Sequence, residues 1–312
     1  MFFEPILIGK MLGDGHLNLT RGKPRLNFIH KLADKGYADY CLELFSQYLP
    51  FGPNENAVKG VYDKRTNKTY YRVFYQSKTS PLLEKWYPLW YKNGHKTIPC
   101  ECIADYLDPL GLSIWFQDDG CFKKNRIVIS TESFAQNEVG FLQFLLRKKF
   151  RVIANIDYKN RLDITSRMEV RKFQALIEPY IHSSMARKSM RNKWEQWQVK
   201  WEEYKNIGKG TCRTSIYLPY KIYDMIRGEG YSSLLNNYLE EWMDTLWGNH
   251  FSNSHKRYQW IAKHDGIDKG TYLLTPRFFQ KVKKKLDLLS EASGLERSEL
   301  VTLALRDHFK IC

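Results

Sequence analysis

LSIWFQDDG, at residues 112–120, decides how this chain is read. A second version, LIGKMLGDG, stands at residues 7–15. Both are short apolar runs that read as helix and finish in Asp-Gly. Asp14 and Asp119 hold the same place in the two runs, so the chain reads as an internal duplication with one carboxylate per half. An acid at a helix C-terminus sits at the negative end of the helix dipole, and two such acids brought together repel each other. A turn alone explains either Asp-Gly. The pair, followed by one order of elements in both halves, points instead to a divalent cation between the carboxylates. Oxygen ligands suit Mg²⁺ (or Mn²⁺).

The hydrophobic periodicity predicts the elements that follow. After Asp14, strands are expected at 16–20 and 25–30, a helix at 35–49, strands at 58–62 and 70–76, and a short helix at 80–90. The second half repeats the order: motif helix 110–120, strands 121–124 and 126–130, helix 133–150, strands 152–158 and 161–165, helix 168–179. The expected fold class is α+β, with two pseudo-symmetric αββαββα halves at 1–95 and 96–190. A helical linker at 191–210 and a mainly helical C-terminal domain at 211–312 complete the chain. The linker carries Trp194, Trp197, Trp201 and Tyr204 on one face, a stripe expected to pack in a core.

Composition narrows the function. The 312 residues carry a net charge of +15, which favours a polyanionic partner, most simply nucleic acid. Their apolar content of 43% suffices for real cores. No apolar run is long enough to span a bilayer, and no signal peptide is visible before the first motif, so no membrane partner is expected. The six cysteines, Cys41, Cys100, Cys102, Cys121, Cys212 and Cys312, form no Cys-x-x-Cys pair. They read as thiols of an intracellular, reducing compartment, either cytoplasm or organelle.

Antiparallel sheets backed by helices on one side leave the other face open. Polar residues on these strands and their turns are the candidate nucleic-acid contacts: Asn18, Arg25, Asn27, Lys31, Lys59, Arg65, Lys68, Tyr70, Arg72 and Tyr75 in the first half, and Lys123, Lys124, Arg126, Lys159, Arg161 and Asp163 in the second. Arg and Lys reach guanine edges, Asn adenine, and Asp cytosine. Lys96 and Lys188 follow the two halves at nearly equal distances, and such lysines suit the charge that develops on a reacting phosphate.

Both motifs resemble the signature of the LAGLIDADG homing endonucleases. The closer likeness is to the single-chain branch with a WF-x-DDG second motif, matched by Trp115-Phe116-Gln117-Asp118-Asp119-Gly120. Lys96-Thr97-Ile98-Pro99, Thr131-Glu132-Ser133-Phe134 and Glu178-Pro179-Tyr180 extend the likeness, which covers about residues 1–190. Gly9 and Gly13 keep the small face that lets the motif helices approach, whereas the second motif offers only Gly111 and Ser113. Lys10 and Leu12 depart from the commonest residues. The resemblance implies a monomeric enzyme whose sheets form a saddle over double-stranded DNA. It implies metal-dependent hydrolysis of both strands at a long asymmetric site, and a mobile intron or free-standing gene as the setting. It places Asp14 and Asp119 on the metals and Lys96 and Lys188 in the active centre, with Asp118 pointing elsewhere. The alternatives are an intron RNA maturase, for which intron RNA would be the partner, and a non-catalytic DNA-binding regulator.

The tail reads as strand, helix, turn, helix, twice: 213–218 with 221–227 and 232–247, then 271–275 with 277–292 and 297–310. Each copy resembles a ribbon-helix-helix unit, and the two are expected to pair their strands within the chain. Ile216, Leu218, Tyr272 and Leu274 then face inward. Arg213, Ser215, Tyr217, Thr271, Leu273 and Thr275 face outward, and all but Leu273 are candidate DNA contacts. The run Lys281, Lys283, Lys284 and Lys285 is a further candidate for phosphate contact.

Overall fold

The computed structural model describes residues 3–52, 57–123, 125–208, 210–228, 230–264, 266–268 and 270–311. Lys124, Lys209 and Cys312 lie outside the described residues. The chain forms two compact units, one of residues 1–165 and 177–189, the other of 166–176 and 190–312.

The first unit opens with α1 (Phe3–Leu12), strands β1 (Gly15–Thr20) and β2 (Lys23–Lys31), α2 (Lys35–Ser46), β3 (Val58–Asp63), β4 (Lys68–Gln76) and the short α3 (Tyr87–Trp90). A connection of β5 (Tyr91–Lys92), β6 (His95–Lys96) and α4 (Cys100–Tyr106) follows. The pattern then recurs as α5 (Pro109–Asp119), β7 (Gly120–Lys123), β8 (Arg126–Ile129), α6 (Gln136–Phe150), β9 (Asn155–Ile156), β10 (Leu162–Ile164) and α7 (Arg167–Ile177). The strand orders β1-β2-β4-β3 and β7-β8-β10-β9 are the same, and every pairing is antiparallel. The duplication seen in the sequence is therefore a duplication of topology. In the second half β9 and β10 are shorter than expected, and the 157–160 turn between them is closed by the Asp157 carboxylate accepting from Lys159 and Arg161 N–H groups.

Both motif helices are buried almost all round. Asp108 caps α5 by accepting from Gly111 N at 2.8 Å, with Pro109 in the first turn. Small residues let the two helices touch backbone to backbone. A side chain at Gly9 would overlap the Gly111 carbonyl, and one at Gly111 would overlap the Pro5 carbonyl. One turn further on, the space left by Gly13 is filled by the Asp118 side chain. The acid at 118 in the second motif is thus matched by the glycine at the same place in the first, Gly13.

In the first half, Leu17, Leu26, Phe28 and Val73 of the sheet and Tyr37, Cys41, Leu44 and Phe45 of α2 are buried, with Phe28 against Phe45. Each fully buried Leu or Phe is worth about 1.5–3 kcal/mol of transfer free energy. Tyr75 belongs to this inner face. It is 4% exposed, pairs with Phe28 across the strands, and its hydroxyl is held by Asp39 of α2. The expectation that Tyr75 faces DNA is corrected: side chains alternate along β4, and Arg72 occupies the open face.

The segment 166–176, nearly all of α7, packs in the second unit rather than with its own half, so the expected boundary at 190 is crossed. In the second unit Arg171 Nε donates to the Glu291 carbonyl at 2.9 Å, and Gln174 accepts from Met190 N. Helix α8 (Arg191–Tyr204) buries Trp194, Trp197 and Trp201, and Trp201 stacks on Trp247 at 4.1 Å. Then come β11 (Thr211–Arg213), β12 (Ile216–Leu218), α9 (Tyr220–Ile226), α10 (Tyr231–Leu246), α11 (Ser254–Lys263), β13 (Tyr272–Leu274), β14 (Arg277–Phe279), α12 (Gln280–Ser293) and α13 (Arg297–Phe309).

β11 pairs with β14 and β12 with β13 in one antiparallel register, so the two tail repeats share a ribbon. Two expectations change. Residues 277–279 extend the strand instead of opening the helix, because buried Asn236 accepts from Phe279 N at 2.7 Å and donates to the Arg277 carbonyl at 2.8 Å. Tyr272 is exposed, against the expectation that it faces inward, and lies against Tyr220 and Tyr223.

Candidate active site

The ends of α1 and α5 place three acids together. Asp14 follows α1 in the turn to β1, its carboxylate 38% exposed. Asp119 is the last residue of α5. Burial and the neighbouring Asp118 charge push the Asp14 carboxyl up to about 6, although Lys10, Lys188 and Lys96 oppose the shift. Burial, Asp14 and Asp118 push Asp119 further, to about 7. These are the penalties that the sequence anticipated, now placed in one site.

Asp118 is not turned elsewhere. Its side chain is wholly shielded and crosses the seam between the motif helices. Oδ1 accepts from Lys10 Nζ at 2.9 Å and Tyr37 Oη at 2.9 Å, and Oδ2 accepts from Asp14 N at 3.0 Å. The expectation for Asp118 failed because a helix interior says nothing about a glycine on another helix. Burial works against the charge on Lys10, but Asp118 together with Cys41 and Asp14 outweighs it and the ammonium stays favoured. Lys10 Nζ also stands 2.7 Å from His30 Nε2, and His30 Nδ1 lies 3.3 Å from Asp14 Oδ2. Burial and the Lys10 charge lower His30 to about 4. Lys10, Tyr37 and His30 were absent from the sequence expectations. The one available signal was a lysine inside an apolar run, since a buried charge requires a partner.

Lys96 and Lys188 both reach the acids. Lys96 Nζ donates to the Gly15 carbonyl at 2.8 Å, and burial lowers it to about 8 against the pull of Asp119, Asp118 and Asp14. Lys188 donates to the Gln117 carbonyl at 2.5 Å and to that of Asp118 at 3.1 Å, which satisfies carbonyls left open at the C-terminus of α5. Burial lowers Lys188 as well.

Asp14, His30 and Asp118 bring possible ligand atoms within 4.8 Å of one another. Both Asp118 oxygens are already engaged, however, and the Lys10 ammonium among them would repel a cation. Asp14 and Asp119 also offer hard oxygen donors near helix ends of negative dipole, and both carboxyls are raised first by burial and then by neighbouring acids.

This pair makes pH dependence predictable. Both folded values lie above the unfolded value near 3.8, so the metal-free fold loses stability as pH rises from about 4 to about 7. A divalent cation needs the ionised forms. Added Mg²⁺ should therefore raise the melting midpoint clearly at about pH 8 and little at about pH 5, with affinity falling roughly tenfold or more between them. An equal Mg²⁺ effect at both pH values would contradict the acid-pair site.

The open sheet faces carry most of the other candidates. Asn18 pairs with Arg25, and His16, Asn27 and Gln76 form a row across three strands. Lys31, Arg72 and Lys59 form another. Like charges directly opposite cost stability unless an anion lies over them. Asn27 is on this face although buried. Lys68 and Tyr70 are exposed on β4, and Arg65 is exposed in the β3–β4 turn. His16 and Gln76 were missed. In the second sheet Lys123 and Arg126 are exposed and paired, and Lys159 is exposed. Asp163 is engaged by Arg126 at 2.6 Å and Arg161 by Asp157 at 2.6 Å, so these four are not free side chains. Arg187 reaches the groove beside Asp14 and holds Asp34 at 2.8 Å.

On the tail ribbon Arg213 faces Arg277 on the exposed side, and Ser215, Tyr217, Thr271 and Thr275 are exposed there too. Of the lysine run, Lys284 is exposed, while the other three are engaged by acids. Lys285 is buried and bonded to Asp244 at 2.7 Å, Lys281 is held by Glu240, and Lys283 by Asp287.

A twin αββαββα unit with a carboxylate at the end of each paired motif helix defines a class of protein. Residues 4–176, more than half of the chain, match the model of the LAGLIDADG DNA endonuclease family, and the chain belongs to that family. It is 28% identical to the cytochrome b mRNA maturase bI2 of Saccharomyces cerevisiae over 193 residues, 58% of this chain and 45% of that protein. It is 35% identical to the intron-encoded endonuclease ai4 of Dictyostelium discoideum over 103 residues, 32% of this chain and 65% of that protein. The chain thus spans less than two thirds of the length of these relatives. The solved structure of the homing endonuclease I-WcaI bound to its DNA recognition sequence shares the fold. The TM-score is 0.51 at 23% identity, covering 59% of this chain and 84% of that one. No helix among the described residues is long and apolar enough to cross a membrane.

Proposed function

We propose that this chain is a site-specific DNA endonuclease of the homing type, cutting both strands of a long asymmetric duplex site with Mg²⁺ or Mn²⁺. The observation that carries the reading is the acid pair Asp14 and Asp119, raised to about 6 and about 7 where the two motif helices end. Structural acids are not arranged to repel each other at a solvent-accessible joint. Asp14 and Asp119 would hold the cations, one from each repeat. A bound divalent cation supplies an activated water and charge stabilisation at the scissile phosphate. Lys96 and Lys188 sit beside both acids and offset negative charge as it builds on phosphate oxygens. The Lys31–Arg72–Lys59 row grips the backbone, while Asn18, Arg25 and their neighbours read base edges. One chain contributes both acids, so a monomer suffices. The setting we infer is an intron-encoded or free-standing gene in an intracellular, reducing compartment.

Selection of cleaved sites from a random duplex library in Mg²⁺ tests this reading. One enriched long asymmetric site is the expected result, and no enrichment would overturn it. A second reading, help with intron RNA splicing, is favoured by the maturase relative. A splicing assay with intron RNA separates the two.

For the tail we propose added DNA contact through the ribbon. Support comes from Arg213 and Arg277, placed opposite each other on its exposed side. Truncation is a poor test, because it would strip 166–176 of its packing partners. The double substitution Arg213→Ala with Arg277→Ala should instead shorten the footprint and weaken binding, by about tenfold at low salt. An unchanged footprint and affinity would assign the tail to another role.

A further inference from the structure

We infer that His30 is a positioning residue for Asp14, with Lys10 fixing which nitrogen of its ring carries the hydrogen. The inference rests on the metal-dependent reading of Asp14 given above. An ammonium has three donors and no acceptor. Lys10 is fully buried, and its Nζ lies 2.7 Å from His30 Nε2 and 2.9 Å from Asp118 Oδ1. His30 Nε2 must therefore be bare and accept from Lys10. The ring hydrogen is left on Nδ1, and Nδ1 is the nitrogen 3.3 Å from Asp14 Oδ2. The ring cannot swing away freely, since Tyr37 meets it edge-on at 5.2 Å. Asp14 is thus addressed twice from one buried cluster, at its carboxylate by His30 and at its N–H by Asp118. Such outer partners orient a ligating carboxylate before the cation arrives.

The device exists on one side only. Strand register sets Phe28 opposite Gly15 and Ile129 opposite Gly120, so Thr131 takes the place of His30 in the second repeat. Its hydroxyl donates to the Asn160 carbonyl at 2.6 Å, away from such a role, and Trp115 stands where the first motif has Lys10. The Asp14 and Asp119 centres are therefore inequivalent, and loss of the His30 donor weakens one of them.

Three measurements on the full chain test this. In the metal-free protein, ¹⁵N imidazole spectra should show His30 with hydrogen on Nδ1 and a bare Nε2; hydrogen on Nε2 overturns the inference, whatever any variant does. His30→Asn can place an amide N–H near the Nδ1 position, whereas His30→Gln places it at the far end, facing Lys10. Calorimetric titration with Ca²⁺ should show one site weakened about tenfold or more in His30→Gln and little changed in His30→Asn. Equal Ca²⁺ affinity in both variants and the wild type overturns the inference. On a supercoiled plasmid bearing the target, His30→Gln should accumulate nicked circles where the wild type yields linear product. Should the tautomer and Ca²⁺ pattern hold while the wild type cuts no DNA, the positioning role stands and the nuclease reading falls.

Discussion

Asp14→Asn or Asp119→Asn is expected to lower double-strand cleavage by at least about 10²–10³-fold while leaving DNA affinity nearly intact. An amide keeps the shape of the carboxyl but removes the charge that would hold a divalent cation. The two acids belong to different repeats, and each would serve one strand, so either substitution alone should prevent a double-strand break. Binding should survive because the cationic rows on the open sheet face act on phosphates without the acids. Both carboxyls are raised by burial and by neighbouring acids, Asp118 beside Asp14 and Asp14 with Asp118 beside Asp119, so neutralising one should also relieve repulsion. The metal-free variants should therefore melt no lower than the wild type. Plasmid linearisation and gel-shift assays on preparations free of wild-type enzyme check both halves of this statement. Mg²⁺-dependent linearisation at the wild-type rate in either variant would refute the assignment of that acid.

The largest expected stability effect lies one layer deeper. Lys10→Met leaves the Asp118 carboxylate buried without its cation, which typically costs about 3–5 kcal/mol. At about 2–4 °C per kcal/mol for a unit of this size, the melting midpoint should drop by about 6–20 °C. Asp118→Asn alone should also destabilise, because it leaves the Lys10 ammonium facing an amide in the same shielded space. The double substitution Lys10→Met with Asp118→Asn removes both charges, keeps an amide oxygen to accept from Asp14 N, and lets the amide N–H donate to Tyr37 Oη, whose own hydrogen can go to the Ile114 carbonyl. It should cost less than the sum of the single changes, with a coupling of about 1–3 kcal/mol. Thermal unfolding of all four proteins without metal measures the cycle. A loss below about 1 kcal/mol in Lys10→Met would show that the pair is not the anchor of the motif seam.

The lesson of Asp118 extends to the rest of the chain. Two Asp-Gly endings, repeated in the same frame, were enough to place Asp14 and Asp119 together, because a duplicated motif implies duplicated topology. The sequence of helices and strands in both halves followed from local periodicity, which depends on backbone geometry alone, whereas the order of the strands within each sheet came from the structure. Lys96 and Lys188 were legible from their equal distance behind each half. The pairing of the two tail strands was legible from alternation, since Ile216, Leu218 and Leu274 define one face. What tertiary structure alone decided is whatever depends on a partner far along the chain. The meeting of Lys10 with Asp118 and His30 needs the α1–α5 approach that Gly9, Gly13 and Gly111 allow. Tyr75 turns inward because Asp39 of α2 receives its hydroxyl, and a one-residue shift in strand phase reverses such a choice. The 277–279 strand is held by Asn236, and 166–176 joins the second unit through Arg171 and Gln174. Periodicity is a property of neighbours three or four residues apart, whereas these contacts are settled by which distant surfaces can bury a charge or satisfy a backbone group together.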